Sequence, residues 1–143
     1  MNLSLTPYYN YMYKPALLAG TLMAMLSVIF GAFGAHALKQ IFSAELLQSF
    51  ETGVRYQFYH AFALLFVSLL PSYVETKTLR GIYFCFLLGI LLFSGSIYAL
   101  CFLKSTVNIG LGGLGILTPV GGLIFIAGWF LLLKAGLNYK QNA

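Results

Sequence analysis

The sequence predicts an all-α protein, an integral membrane four-helix bundle with an amphipathic interfacial segment between the first and second spans. Three observations carry that expectation. Of 143 residues, 60% are hydrophobic and only 8% charged, with a mean hydropathy of +0.88; soluble domains are nearer half apolar and a quarter charged. Four segments (residues 16–38, 55–71, 80–103 and 117–137) approach the roughly 20 apolar residues needed to cross a bilayer core. Helices are the economical way to satisfy each backbone N–H and C=O in lipid. The whole chain, 1–143, reads as one membrane domain.

The first fifteen residues, MNLSLTPYYNYMYKP, are polar and tyrosine-rich, and the apolar run after them is too long for the core of a cleavable signal. Tyr8, Tyr9, Tyr11 and Tyr13 suit a membrane–water interface. The first span follows Lys14 and Pro15, and its end, GAFGAHAL, sets Gly31, Gly34 and Ala35 among bulky neighbours. Small residues let helices approach closely in lipid, where packing drives association. Gly95, Gly121 and Gly122 are given the same helix-packing role in the later spans.

Over residues 41–54 the apolar residues Phe42, Leu46, Phe50 and Val54 recur at every fourth position among polar ones, as in a helix lying in an interface. Ser43 is the expected N-cap, with Glu45 in the first turn. No break separates this helix from the second span, which stops at Pro71. The third span opens near Arg80 and closes at Lys104. The glycines after it, Gly110, Gly112, Gly113 and Gly115, lack the Gly-Lys-Ser/Thr ending of a phosphate-binding loop. Thr118 is expected to cap the fourth span, with Pro119 in its first turn.

The eight basic residues are scattered singly at segment ends, a pattern of membrane anchoring and not of nucleic-acid binding. Four spans put Lys14, Lys77, Arg80, Lys134 and Lys140 on one side and Lys39, Arg55 and Lys104 on the other. That bias predicts a plasma (inner) membrane protein with both termini cytoplasmic.

Chemistry concentrates in FETGVRYQFYHAFALL, residues 50–65, where Glu51, Arg55, Gln57 and His60 run into an apolar stretch. Ionisable groups inside a membrane are functional-site candidates by default. A rise of about 1.5 Å per residue puts His60 and its i−4 neighbour Tyr56 toward the midplane, and Glu51 near the outer boundary. The same counting brings His36, Glu51, Arg55, Ser94, Ser96 and Tyr98 to the outer half of the bundle as one polar cluster. Glu51 and Arg55, at i and i+4, can pair along a helix face. The bland alternatives are a structural salt bridge for that pair, and for His60 a neutral imidazole bonded to a backbone carbonyl or a serine.

No cofactor is expected. His36 and His60 differ in depth by about half a membrane, which does not suit two ligands of one haem. No third ligand stands near them for a metal. The chain has no aspartate for a Ser-His-Asp set, and Cys85 and Cys101 lie about 24 Å apart on one helix.

Four motifs in order, GAFGAHAL at 31–38, ETGVRYQFYHA at 51–61, LFSGSIYAL at 92–100 and TPVGGLIFIAGW at 118–129, closely resemble the YgdD/YwdK-like family of small bacterial inner-membrane proteins. This is domain-of-unknown-function family 423, to which the eukaryotic transmembrane protein 256 is similar. The resemblance runs from about Ala16 to Leu137; Gly53 stands where an alanine is usual, and the tyrosine-rich arm lies outside the pattern. It implies four spans and supplies no activity. The functional expectation is therefore a structural, assembly or accessory subunit that is not an enzyme. Its expected partners are the lipid bilayer and a larger membrane complex or homo-oligomer. The alternatives are a small transporter or binding protein using the outer cluster, and, third, an enzyme acting on a lipid or quinone head group.

Overall fold

The computed structural model describes residues 12–107 and 113–139. The expectations for Tyr8, Tyr9, Tyr11, Gly110, Gly112 and Lys140 lie outside the described residues. Four helices account for nearly all of the rest: α1 (Lys14–Ala35), α2 (Ala44–Ser68), α3 (Thr76–Val107) and α4 (Leu114–Leu137), with a single 3₁₀ turn at Leu38–Gln40. The stretches Lys14–Gln40, Thr76–Thr106 and Leu114–Leu137 are each long and apolar enough to cross a membrane. The protein is thus an all-α membrane bundle. α2 carries Glu45, Glu51 and Arg55 and is the least apolar of the four.

Successive helices are antiparallel. α2 pairs with α1 along its length, from the Tyr13 N–H donating to the Ser68 carbonyl (2.9 Å) to the packing of Gly34 on the Phe50 ring. α3 lies against α2, and α4 against α3. A core of Leu64, Val67, Leu79, Ile82, Phe86, Ile90 and Phe125 fills the end where α1 begins and α4 finishes. A second, smaller cluster, Leu38, Phe42, Phe50 and Cys101, fills the opposite end.

The predicted amphipathic segment and the predicted second span form one continuous helix, α2. Ser43 caps it, its hydroxyl accepting from the Leu46 N–H at 3.3 Å. The polar half of α2 is therefore the outward face of a packed helix. Its buried stripe, Phe50, Gly53, Gln57, His60, Leu64 and Val67, follows heptad spacing, which keeps one seam turned toward the neighbours. α4 starts earlier than the Thr118 cap implies. Its first residue is Leu114 after Gly113, and Pro119 lies inside it. Proline there forfeits one backbone hydrogen bond, and close packing on α3 holds the turn in place.

The close approaches are made by glycines. A Cβ on Gly121 would stand 2.8 Å from Phe93 Cα and 2.9 Å from the Leu92 carbonyl carbon, and one on Gly20 would stand 2.9 Å from the Ala61 oxygen. Gly128 admits the Phe86 ring, and Gly89 that of Phe125. Of the positions read as packing residues, Gly31 and Gly34 face α2, and Gly121 and Gly122 face Phe93. Gly95 and Ala35 do not serve so. Gly95 has nothing within 4 Å of its Cβ position, because α3 meets α4 through Phe86, Gly89, Phe93 and Ser96. Ala35, the last residue of α1, is exposed. Replacing Gly95 by alanine should raise stability by roughly 0.5–1 kcal/mol through helix propensity alone; a thermal melt in detergent checks it.

Candidate functional site

The six residues expected to form an outer polar cluster do not meet. No hydrogen bond or ion pair joins any two of them. His36 is the C-cap of α1 and exposed. Glu51 and Arg55 are exposed on α2, and the Arg55 guanidinium donates to the Thr52 hydroxyl (3.2 Å) in place of Glu51. The cause is rotational. Helical rise fixed their depth, but Glu51 and Arg55 lie one and five residues past Phe50. They are therefore turned about 100° and 140° around the helix from Phe50, on the side away from Gly53, Gln57 and His60. Ser94, Ser96 and Tyr98 do point inward, each to a different fate.

Tyr98 takes part in a link across three helices. Its hydroxyl donates to the Gln57 amide oxygen at 3.0 Å, and the Gln57 amide nitrogen donates to the Met23 carbonyl at 3.0 Å. Gln57 is 3% exposed. The Ser27 hydroxyl donates to the same Met23 carbonyl at 2.9 Å, tightening the α1 side. Phe30 and Phe50 pack their rings on Tyr98 at 5.0 and 4.9 Å between centroids and hold the phenol on its partner. The Ser96 hydroxyl bonds Thr118 Oγ1 at 2.6 Å, joining α3 to α4. Ser94 Oγ is fully buried and unpartnered among the described residues.

His60 stands apart from these. Its Nδ1 lies 2.8 Å from the Tyr56 carbonyl, and the Trp129 indole N–H donates to Nε2 at 3.1 Å. Nε2 must then be the acceptor and Nδ1 carry the proton, which defines the neutral imidazole. The ring stacks on Phe125 with centroids 3.4 Å apart at 10°, and Phe86 lies 5.7 Å away. Tyr56 serves His60 through its backbone, while its own ring leans on Phe93 at 4.7 Å. With both nitrogens engaged inside an aromatic box, His60 has no free ring nitrogen for a haem or metal in this arrangement. Among the described residues no three His, Cys, Asp or Glu side chains come together to hold a metal ion.

Sequence reasoning flagged Gln57 as polar but gave it no partner, and it missed Trp129 and Thr118 as hydrogen-bonding groups. The one available signal for Gln57 was its place on the buried stripe, seven residues after Phe50 and three before His60. The arrangement has a chemistry of cohesion: neutral donors and acceptors matched across helices, where an unmatched group in hydrocarbon would cost several kcal/mol.

Residues 30–122 match the family described as "Protein of unknown function (DUF423)". The chain belongs to DUF423. It is 36% identical over 129 residues to UPF0382 membrane protein YwdK of Bacillus subtilis, an alignment covering 88% of this chain and 98% of that one. A UPF0382 membrane protein of Haemophilus influenzae is 40% identical over 120 residues (84% and 91% covered). UPF0382 membrane protein C1782.12c of Schizosaccharomyces pombe is 38% identical over 113 residues (78% and 92%). No solved structure matches the chain. The DUF423 match takes in Gln57, Tyr98, Ser96 and Thr118, whereas Met23 and Trp129 fall outside it.

Because Glu51 and Arg55 lie on the surface and unpaired with each other, Glu51→Gln and Arg55→Gln should each change stability by less than about 0.5 kcal/mol. Equilibrium unfolding of the two variants in detergent checks this.

Proposed function

We propose that this DUF423 protein is a structural or accessory subunit that seats in a larger membrane assembly, either a complex with other proteins or a homo-oligomer. The observation that carries the reading is how the helices divide their surfaces. α1 buries only Ala16, Gly20, Ser27 and Gly34, and α4 only Gly121, Phe125 and Gly128. Both leave broad apolar faces outward, including Val28 and Phe33 on α1 and Leu123, Ile126 and Phe130 on α4. Of the buried polar side chains, meanwhile, Gln57, His60 and Ser96 are committed to bonds between helices. Such a body offers neighbours a surface and offers a substrate little.

In the same reading all four helices cross the cytoplasmic (inner) membrane. The start of α1 and the end of α4 then face the cytoplasm, in keeping with Lys14, Lys77, Arg80 and Lys134 at that end against Lys39, Arg55 and Lys104 at the other. Mild solubilisation of the tagged chain from its native membrane tests the function. A stoichiometric partner, or a stable oligomer, is the expected result. A clean monomer recovered alone in gentle detergent would count against it.

A further inference from the structure

The bundle end where α1 begins and α4 finishes holds a cavity of about 380 Å³ between the α2–α3 turn and the last turns of α4. That is the lower part of the range for small-ligand sites. Its lining includes Tyr73, Glu75, Thr78, Lys134, Asn138 and Tyr139, over a floor of Leu131 that packs on the core. Glu75 immediately precedes α3, and Lys134 stands three residues before the end of α4, so the cavity lies where the membrane-crossing helices meet water.

Two features of this lining restrict what it can take. Glu75 and Lys134 face one space yet form no ion pair, with each other or with any other described residue. The Tyr73 and Tyr139 rings close one wall, 5.7 Å apart and at 64°. A helix start favours a carboxylate and a helix end an ammonium, which accounts for the residue types but not for the space kept between them. A ligand that matches both charges must carry both signs. A phosphate can sit against Lys134 with the Thr78 hydroxyl and Asn138 amide as further donors. An ammonium can sit against the Glu75 carboxylate and the faces of the two phenol rings. A purely anionic headgroup would bring its charge beside Glu75, and a purely cationic one beside Lys134.

We propose that this cavity binds a zwitterionic phosphate–ammonium headgroup, that of a phospholipid in the adjacent leaflet. The exposed side chains of Leu133 and Leu137 on the same turns of α4 supply apolar surface along which its acyl chains can lie. The proposal does not depend on which assembly the subunit joins.

Native mass spectrometry of the full chain in detergent tests it. Phosphatidylethanolamine, phosphatidylglycerol and free phosphoethanolamine are added in separate arms. The wild type should retain one phosphatidylethanolamine in preference to phosphatidylglycerol. Lys134→Gln should weaken that retention roughly tenfold, the loss of one charge-assisted contact, while Lys134→Arg keeps it. Glu75→Gln should shift preference toward phosphatidylglycerol, a change that helix-end stabilisation alone would not produce. Lys77→Gln, outside the lining, should behave as wild type. Equal retention of the two lipids by wild type, or undiminished phosphatidylethanolamine on Lys134→Gln, overturns the proposal. Retention of free phosphoethanolamine without the lipid would overturn the lipid assignment and leave a soluble ligand of the same chemistry.

Discussion

Gly121→Leu is expected to lose the α3–α4 seam and at least about 3 kcal/mol of stability. In lipid, helices associate through close packing, because the tails are as apolar as the side chains. At Gly121 the neighbour is backbone: any Cβ there stands 2.8 Å from Phe93 Cα. Backbone within a packed helix cannot swing aside as a side-chain tip can, so α4 must back away. Overpacking typically costs about 1–3 kcal/mol for a few added methylenes, and a leucine adds more than that. Retreat would also strain the Ser96–Thr118 bond and draw Phe125 from its place against Gly89 and His60. Gly122→Ala supplies the comparison, since its Cβ would meet the Phe93 ring at an ordinary 3.8 Å. Unfolding by titration with a denaturing detergent should separate the two adjacent variants clearly.

Gln57→Leu should cost about 2–3 kcal/mol, and the second change Tyr98→Phe should recover part of it. Leucine keeps the bulk but removes bonds to both α1 and α3. Individual interhelical hydrogen bonds in membranes average only about 0.6 kcal/mol. The larger share comes from the Tyr98 hydroxyl left buried without its partner, about 1–3 kcal/mol. The Met23 carbonyl suffers less because Ser27 still donates to it. Removing the orphaned hydroxyl removes its penalty, so the double variant should be more stable than the sum of the singles. A double-mutant cycle measures that difference. Strict additivity would mean that Tyr98 and Gln57 are not coupled.

Much of the fold was legible because membrane length and hydropathy restrict helices so tightly. Ser43 as a cap and Gly31, Gly34 and Gly121 as packing positions followed from local rules, whereas the helix each of these glycines meets did not. The site was less legible, for a geometric reason. Counting residues gives depth along a helix, and it placed Glu51 near the level where α1 ends. Azimuth requires knowing which stripe faces the neighbours, and on α2 that stripe contains glycine, glutamine and histidine among its apolar members. Glu51 and Arg55 drew notice for their charge, yet Gln57, neutral and two residues further, is the group that ties helices together. Trp129 could not be read as the partner of His60, since 69 residues separate them and only the tertiary register of α2 and α4 joins them. Thr118 read as a cap because Pro119 follows it, whereas its hydroxyl is committed to Ser96.

Among the described residues the conspicuous charges lie on the surface, while the buried polar side chains are neutral and, Ser94 apart, hydrogen-bonded within the protein. Single cysteines at Glu51, Arg55 and Ser94, in a chain with Cys85 and Cys101 replaced by alanine, test this division most directly by their reaction with a membrane-impermeant maleimide. Glu51→Cys and Arg55→Cys should label rapidly from the face opposite the start of α1, and Ser94→Cys should stay protected until the protein is unfolded. Protection at 51 and 55 together with labelling at 94 would mean that an aqueous charged site runs into the bundle, and would contradict that division.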